Sequence, residues 1–157
     1  MTPFELITSI VGAAGFIFGL YQYYKNSKVK RAKTLSKLIL QLWSDDEIRS
    51  AVLMFDYDNS WYDNDKRFRS REEEIHVNKA LQYLSYICYL KKNHVLSNNE
   101  FRVFEYEIKR LFQNNCAIQY LKFLHDFSKE AIGNSFPFQD LLDYGVEKKM
   151  IDLASFQ

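Results

Sequence analysis

The chain has 157 residues, enough for one membrane span and one soluble domain of about 120 residues with a single hydrophobic core. Its net charge of +1 is unevenly distributed, because five of its 21 Lys and Arg residues lie between residues 25 and 33. Residues 34–157 hold the other sixteen together with nineteen Asp and Glu, which excludes the basic composition of a nucleic-acid-binding domain.

The first predicted element is a transmembrane helix. Residues 6–24 are nineteen residues without a charge, and a helix of that length is about 28 Å long, enough to cross the hydrocarbon core. A basic cluster follows directly, so the bias of Lys and Arg toward the cytoplasm puts the amino terminus outside. A cleaved signal peptide has the opposite charge order. The basic cluster, expected at the membrane surface against anionic lipids, comprises Lys25, Lys28, Lys30, Arg31 and Lys33.

Small and polar residues of this segment recur at alternating steps of three and four, which puts them on one face of a helix. Within the uncharged segment this glycine stripe comprises Thr8, Gly12, Gly15, Gly19 and Gln22, and Glu5 and Asn26 continue it at its two ends. Because lipid offers little hydrophobic drive for association, such a stripe favours close packing between helices. It is also compatible with a ring in which it borders a water-filled path, and with a monomeric anchor. A long buried helix of a soluble protein is the remaining interpretation of the segment.

The rest of the chain predicts an all-α protein, with apolar residues at helical spacing and few Gly or Pro. We divide the whole chain into three parts: a transmembrane helix over residues 1–27, a basic juxtamembrane helix over residues 28–43 and a cytoplasmic helical domain over residues 44–157. Three Ser-x-x-Glu capping boxes predict helix starts within this domain, at Ser44, Ser70 and Ser97. The predicted fold is therefore one amino-terminal transmembrane helix followed by a helical bundle.

One pair of residues has a catalytic spacing. Arg71 and His76 form an Arg-x4-His motif at a predicted helix start, which resembles the Arg-x4–6-His motif of ribonucleases of the HEPN superfamily. In such a site Arg binds the scissile phosphate and His acts as general acid or base. Here Glu72, Glu73 and Glu74 follow Arg71, and carboxylates repel RNA. We therefore favour a non-catalytic, structural role for the pair, with ribonuclease activity as the alternative.

No metal or cofactor site is predicted. Cys88, Cys116 and the three histidines lie far apart in the sequence and do not form the CxxC, HxxxH or HExxH spacings of metal sites. Both cysteines lie on apolar helical stretches, so we expect buried, reduced thiols.

The order of these features resembles the small membrane accessory proteins of type VI-B CRISPR loci. The similarity covers the whole chain in length and layout: one amino-terminal span, a basic cluster, and a short HEPN-like helical domain with a degenerate motif at Arg71 and His76. It implies an accessory effector of antiphage defence in the bacterial inner membrane, with its amino terminus outside and its carboxyl-terminal domain cytoplasmic. A ring-like homo-oligomer would form a pore that depolarises the membrane and enhances RNA-guided immunity.

The resemblance also implies a functional partnership with an RNA-guided CRISPR ribonuclease, while direct RNA binding is not expected. Two alternatives stay open on the sequence. One is a membrane-tethered HEPN-type ribonuclease, and the other is a non-conducting membrane adaptor that recruits a partner through its aromatic domain.

Overall fold

Every regular element in the described part of the chain is an α-helix. The computed structural model describes residues 3–58, 60–62, 72–133, 136–152 and 156, with side chains in the first helix from Gly15 onward and none for residue 132. The predicted all-α class and helical bundle are confirmed. The helices are α1 (Pro3–Ser44), α2 (Asp46–Tyr57), α3 (Glu72–Lys92), α4 (Asn98–Gln113), α5 (Asn115–Ile132) and α6 (Gln139–Glu147).

The chain divides into two compact units, Met1–Leu40 and Gln41–Gln157. Helix α1 continues from the first into the second without interruption, over 42 residues. The predicted transmembrane and juxtamembrane helices are thus one continuous helix, which agrees with the absence of Gly and Pro between residues 20 and 44. No helix is long and apolar enough to span a membrane among the residues with described side chains. Residues 6–14 of the predicted span lie outside that described part.

The start of α2 differs from its predicted capping box. Ser44 is still the last residue of α1, and the N-cap is Asp45, whose carboxylate accepts hydrogen bonds from the amides of Glu47 and Ile48, both at 3.2 Å. The ammonium group of Lys79 lies 2.7 Å from the same carboxylate and lowers the pKa of Asp45. The prediction that Ser44 caps α2 is wrong, because the carboxylate of Asp45, one residue further along the chain, accepts the hydrogen bonds of the helix start and is also paired with Lys79.

The other two predicted caps have different outcomes. At α4 the capping box is confirmed, because the hydroxyl of Ser97 accepts from the amide of Glu100 at 3.3 Å and the carboxylate of Glu100 accepts from the amide of Ser97 at 2.7 Å. Ser70 lies outside the described residues.

Asn114 makes the sharp joint between α4 and α5. Its side-chain oxygen accepts from the amide of Ala117 at 3.0 Å and so caps α5. Its amide nitrogen donates to the carbonyls of Phe55 and Asp58, at 3.1 and 2.7 Å, at the end of α2. This side chain, only 2% exposed, therefore ties three helices together and satisfies carbonyl groups that the end of α2 leaves without helical partners.

The core of the bundle lies around α3, which packs against α2, α4 and α6. Both cysteines are buried thiols, as predicted, and burial raises the pKa of Cys88 to about 12. The residues with no exposed surface are apolar or aromatic: Ala51, Val77, Ala80, Leu84, Ile87, Phe104, Ile108, Leu111, Tyr120 and Leu141.

Candidate functional site

The most unusual surface of the described chain is on α1. The large apolar side chains from Phe16 to Tyr24 are more than half exposed, with Phe16 at 68% and Tyr23 at 76%. Helical residues are about 100° apart around the axis, so these side chains cover most of the circumference and leave only the side of Gly15 and Gly19 without them. A soluble helix usually has one apolar stripe, and one that is apolar almost all round is typical of burial in protein or in lipid.

The basic cluster follows immediately on the same helix. Lys25, Lys28, Lys30, Arg31 and Lys33 are all exposed. The ammonium group of Lys28 lies 4.4 Å from the centre of the Tyr24 ring, a cation–π contact between the end of the apolar segment and the start of the cluster. At about 100° per residue the five cations point in five different directions around the helix axis.

The glycine stripe is open where its surroundings are described. A Cβ placed on Gly15 or Gly19 would have no neighbouring atom within 4 Å, and Gln22 on the same face is half-buried. Thr8 and Gly12 lie within α1, but their surroundings are outside the described part of the chain. The accessible backbone at Gly15 and Gly19 is what close approach of a second helix requires.

The structure brings His76 into contact with an acid. His76 is on the second turn of α3, its side chain is 19% exposed, and its Nε2 lies 3.9 Å from a carboxylate oxygen of Glu72. Arg71 lies outside the described residues, so the predicted pairing with His76 stays a prediction. A carboxylate beside the ring disfavours the binding of a phosphate at His76.

The last of the three acids has a structural role. Glu74 is half-buried, and its carboxylate accepts a hydrogen bond at 3.1 Å from the hydroxyl of Tyr120, a fully buried residue of α5. The first turn of α3 is thereby joined to α5. Glu72 and Glu73 are exposed in that first turn, where carboxylates also complement the helix dipole.

The described side chains suggest no metal centre. Within the described ranges no three His, Cys, Asp or Glu residues lie close enough together to hold a metal ion.

Sequence patterns did not reveal the exposed groups on the outer side of α4. Arg102, Val103, Tyr106 and Lys109 lie on that side, between the apolar positions that identified the helix. The available signal was the spacing of these four residues, which puts them on one helix face opposite Phe104, Ile108 and Leu111. The spacing predicts that these four residues share one helix face, but it does not predict what that face binds.

The chain matches no family model, no curated protein and no solved structure. Functional conclusions therefore depend on its own residues and geometry.

Proposed function

We propose that the chain is a single-pass protein of the bacterial inner membrane that assembles into a ring-like pore and acts as an accessory effector of CRISPR antiphage defence. The observation that supports this most directly is the exposed apolar surface of α1 from Phe16 to Tyr24, which ends at five exposed cations. In this proposal the amino terminus is outside and the bundle is cytoplasmic. The functional partner is an RNA-guided CRISPR ribonuclease, whose immunity is enhanced when the pore depolarises the membrane.

The arrangement of charges supports crossing the membrane over lying on its surface. A helix that lies in the interface has an apolar side and a basic side along its whole length. In α1 the two classes are separated along the axis instead, with apolar side chains around the helix up to Tyr24 and cations around it from Lys25. Anionic headgroups then surround the basic cluster, where each cation gains on the order of 1 kcal/mol.

The open face at Gly15 and Gly19 supports self-association. Apolar rings project on the other sides of the helix, where lipid tails suit them, and only the glycine side lets another backbone approach closely. In a ring of such helices this side either packs against the neighbour or borders the central path. Within the uncharged segment its polar side chains are Thr8 and Gln22, so the path there is weakly polar and has no ring of charge.

Membrane potential in living bacteria tests the proposal. Cells expressing the chain together with an activated RNA-targeting effector are expected to depolarise, as reported by a voltage-sensitive dye. Gly15→Leu fills the open face and is expected to abolish depolarisation while the protein stays in the membrane fraction. Phe16→Leu is the matched control, because it places the same side chain one position away on the lipid side and should retain depolarisation.

Other outcomes point elsewhere. Depolarisation that persists in Gly15→Leu would remove the glycine stripe from the mechanism. A steady potential with RNA decay that is lost in His76→Ala would favour the ribonuclease. A steady potential with a stoichiometric protein complex would favour the adaptor.

A further inference from the structure

Two exposed surfaces of the bundle match each other in charge and spacing. The first, the α3 face, comprises Glu72, Ile75 and Lys79 on successive turns of α3. Ile75 is 62% exposed, and the side chain of Glu72 is 85% exposed. These two residues give the α3 face an apolar centre with an acid at one end.

Lys79 does not make the other end of the α3 face basic. Its ammonium group lies 2.7 Å from the carboxylate of Asp45 and 2.6 Å from that of Glu47, both contributed by the start of α2. Two carboxylates around one ammonium leave a net negative charge, and the side chain of Glu47 is 45% exposed. The α3 face is therefore acidic at both ends.

The second surface, the α4 face, has the opposite charge. It comprises Arg102, Val103, Tyr106 and Lys109, with Val103 46% and Tyr106 59% exposed at its centre. Arg102 makes no ion pair among the described residues, whereas Lys109 is paired with the carboxylate of Glu105 at 3.9 Å. The α4 face is therefore apolar at its centre, with the charge of Arg102 at one end and that of Lys109, partly offset by Glu105, at the other.

The two faces have the same length. Glu72 and Lys79 are seven residues apart, as are Arg102 and Lys109, which is about 10.5 Å along a helix axis in each case. With the helices antiparallel, Lys109 lies opposite Glu72 and Arg102 lies opposite the carboxylates around Lys79. Ile75 then lies opposite Tyr106, with Val103 one helical turn away on the same face. Each exposed apolar group then has an apolar neighbour and each net charge has an opposite one.

We propose that the bundle binds a second copy of this chain head to tail, with the α3 face of one copy against the α4 face of the next. A symmetric contact between two α3 faces would instead bring acid against acid, which is unfavourable. A contact between two different surfaces repeats from copy to copy and closes into a ring where the rotation allows it. The inference rests on the proposed membrane function in one respect. A contact of two helical turns buries less than the roughly 800 Å² per partner of a stable interface. Tethering in the membrane would supply the high local concentration that such a small contact needs.

A charge exchange tests the inference in the full chain. Glu72→Lys and Lys109→Glu are each expected to weaken assembly at least about tenfold, measured as the fraction of oligomer in mild detergent by light scattering. Each variant alone opposes like charges across the contact. When the two are co-expressed, Lys at position 72 meets Glu at position 109 in one contact and the native pair remains in the next. Alternating copies should therefore assemble again.

The controls separate this contact from general effects of charge. Glu73→Lys makes the same change one residue away, about 100° around α3, and Lys129→Glu makes the opposite change on α5. Both should assemble as the native chain does. Unchanged helical circular dichroism in every variant confirms that the bundle has folded.

Three results would overturn the inference. Oligomers that persist in both charge variants would assign assembly to other surfaces, and disruption by Glu72→Lys but not by Lys109→Glu would show that Lys109 is not the partner of Glu72. Failure of the co-expressed pair to assemble would show that the two positions do not face each other. Fractionation keeps the proposed function separate, because a chain absent from the membrane fraction refutes the membrane span whatever its oligomeric state.

Discussion

The contact between Gly145 and Phe112 predicts whether replacing Gly145 with alanine raises or lowers the stability of the bundle. Gly145 lies in α6, and a Cβ placed on it would meet the Phe112 ring of α4 at 2.6 Å from Cζ, 2.9 Å from Cε2 and 3.0 Å from Cε1. Glycine in a helix is normally unfavourable, so replacing it with alanine in open space stabilises a protein by up to about 1 kcal/mol. Here the added methyl group has no room, because Phe112 is 4% exposed.

Gly145→Ala is therefore expected to destabilise the bundle. Overpacking of a core costs about 2 kcal/mol in the middle of its usual range, and the gain in helix propensity offsets about 1 kcal/mol of it, which leaves a net loss of about 1 kcal/mol. Urea unfolding of the full chain in mild detergent, followed by the fluorescence of buried Trp61, measures the difference as a shift in midpoint.

A second variant shows whether the ring is responsible. In a Phe112→Leu background the side chain no longer reaches the added methyl group, so Gly145→Ala should become neutral or stabilising there. The difference between the two backgrounds is the coupling energy of the double-mutant cycle. A Gly145→Ala chain that is as stable as the native one with Phe112 in place would refute the reasoning, as would equal losses in both backgrounds.

Two further changes test buried polar groups in the same unfolding assay. Asn114→Asp keeps the oxygen that accepts from the amide of Ala117 but places a carboxylate oxygen against the carbonyls of Phe55 and Asp58. The free energy of unfolding is therefore expected to fall by roughly 2–3 kcal/mol. An unchanged midpoint would contradict the role of the Asn114 amide group. Glu107 is 6% exposed, and one of its carboxylate oxygens is unpaired among the described residues. Burial raises the pKa of Glu107 in the folded state. The folded state therefore loses stability as the pH rises from about 4.5 through that raised pKa. Glu107→Gln should raise the free energy of unfolding at pH 7, on the order of 1 kcal/mol, with a smaller difference at pH 4; equal differences at both pH values would contradict this account.

Local sequence signals predicted most of the helices, because their causes are local. The capping box at Ser97 was predicted from a few neighbouring residues, and the structure has it. The cap at Ser44 was wrong because the choice of Asp45 depends partly on Lys79, which lies on another helix. A capping motif contains no information about such a distant partner.

Tertiary contacts explain what the sequence left unpredicted in the bundle. The requirement for glycine at position 145 arises from a ring on α4, and the role of Asn114 arises from carbonyls at the end of α2, 56 and 59 residues earlier. For the candidate site, the sequence predicted the basic cluster and the open glycines, both of which the structure finds exposed. The α3 and α4 faces were not predicted, since their relation depends on exposure and on the pairing of Lys79 with two acids.

The proposed assembly surfaces act in different solvents, and this determines how assembly should respond to salt. The stripe at Gly15 and Gly19 would pack in lipid through close backbone contact, to which dissolved ions have no access. The contact of Glu72 with Lys109 would form in water, where screening shortens the range of charge attraction to about 8 Å at physiological ionic strength and about 3 Å at 1 M. In this proposal both contacts contribute to assembly, so loss of one weakens the association without abolishing it. Salt should therefore separate the bundles first and leave a residual association through α1, which Gly15→Leu removes.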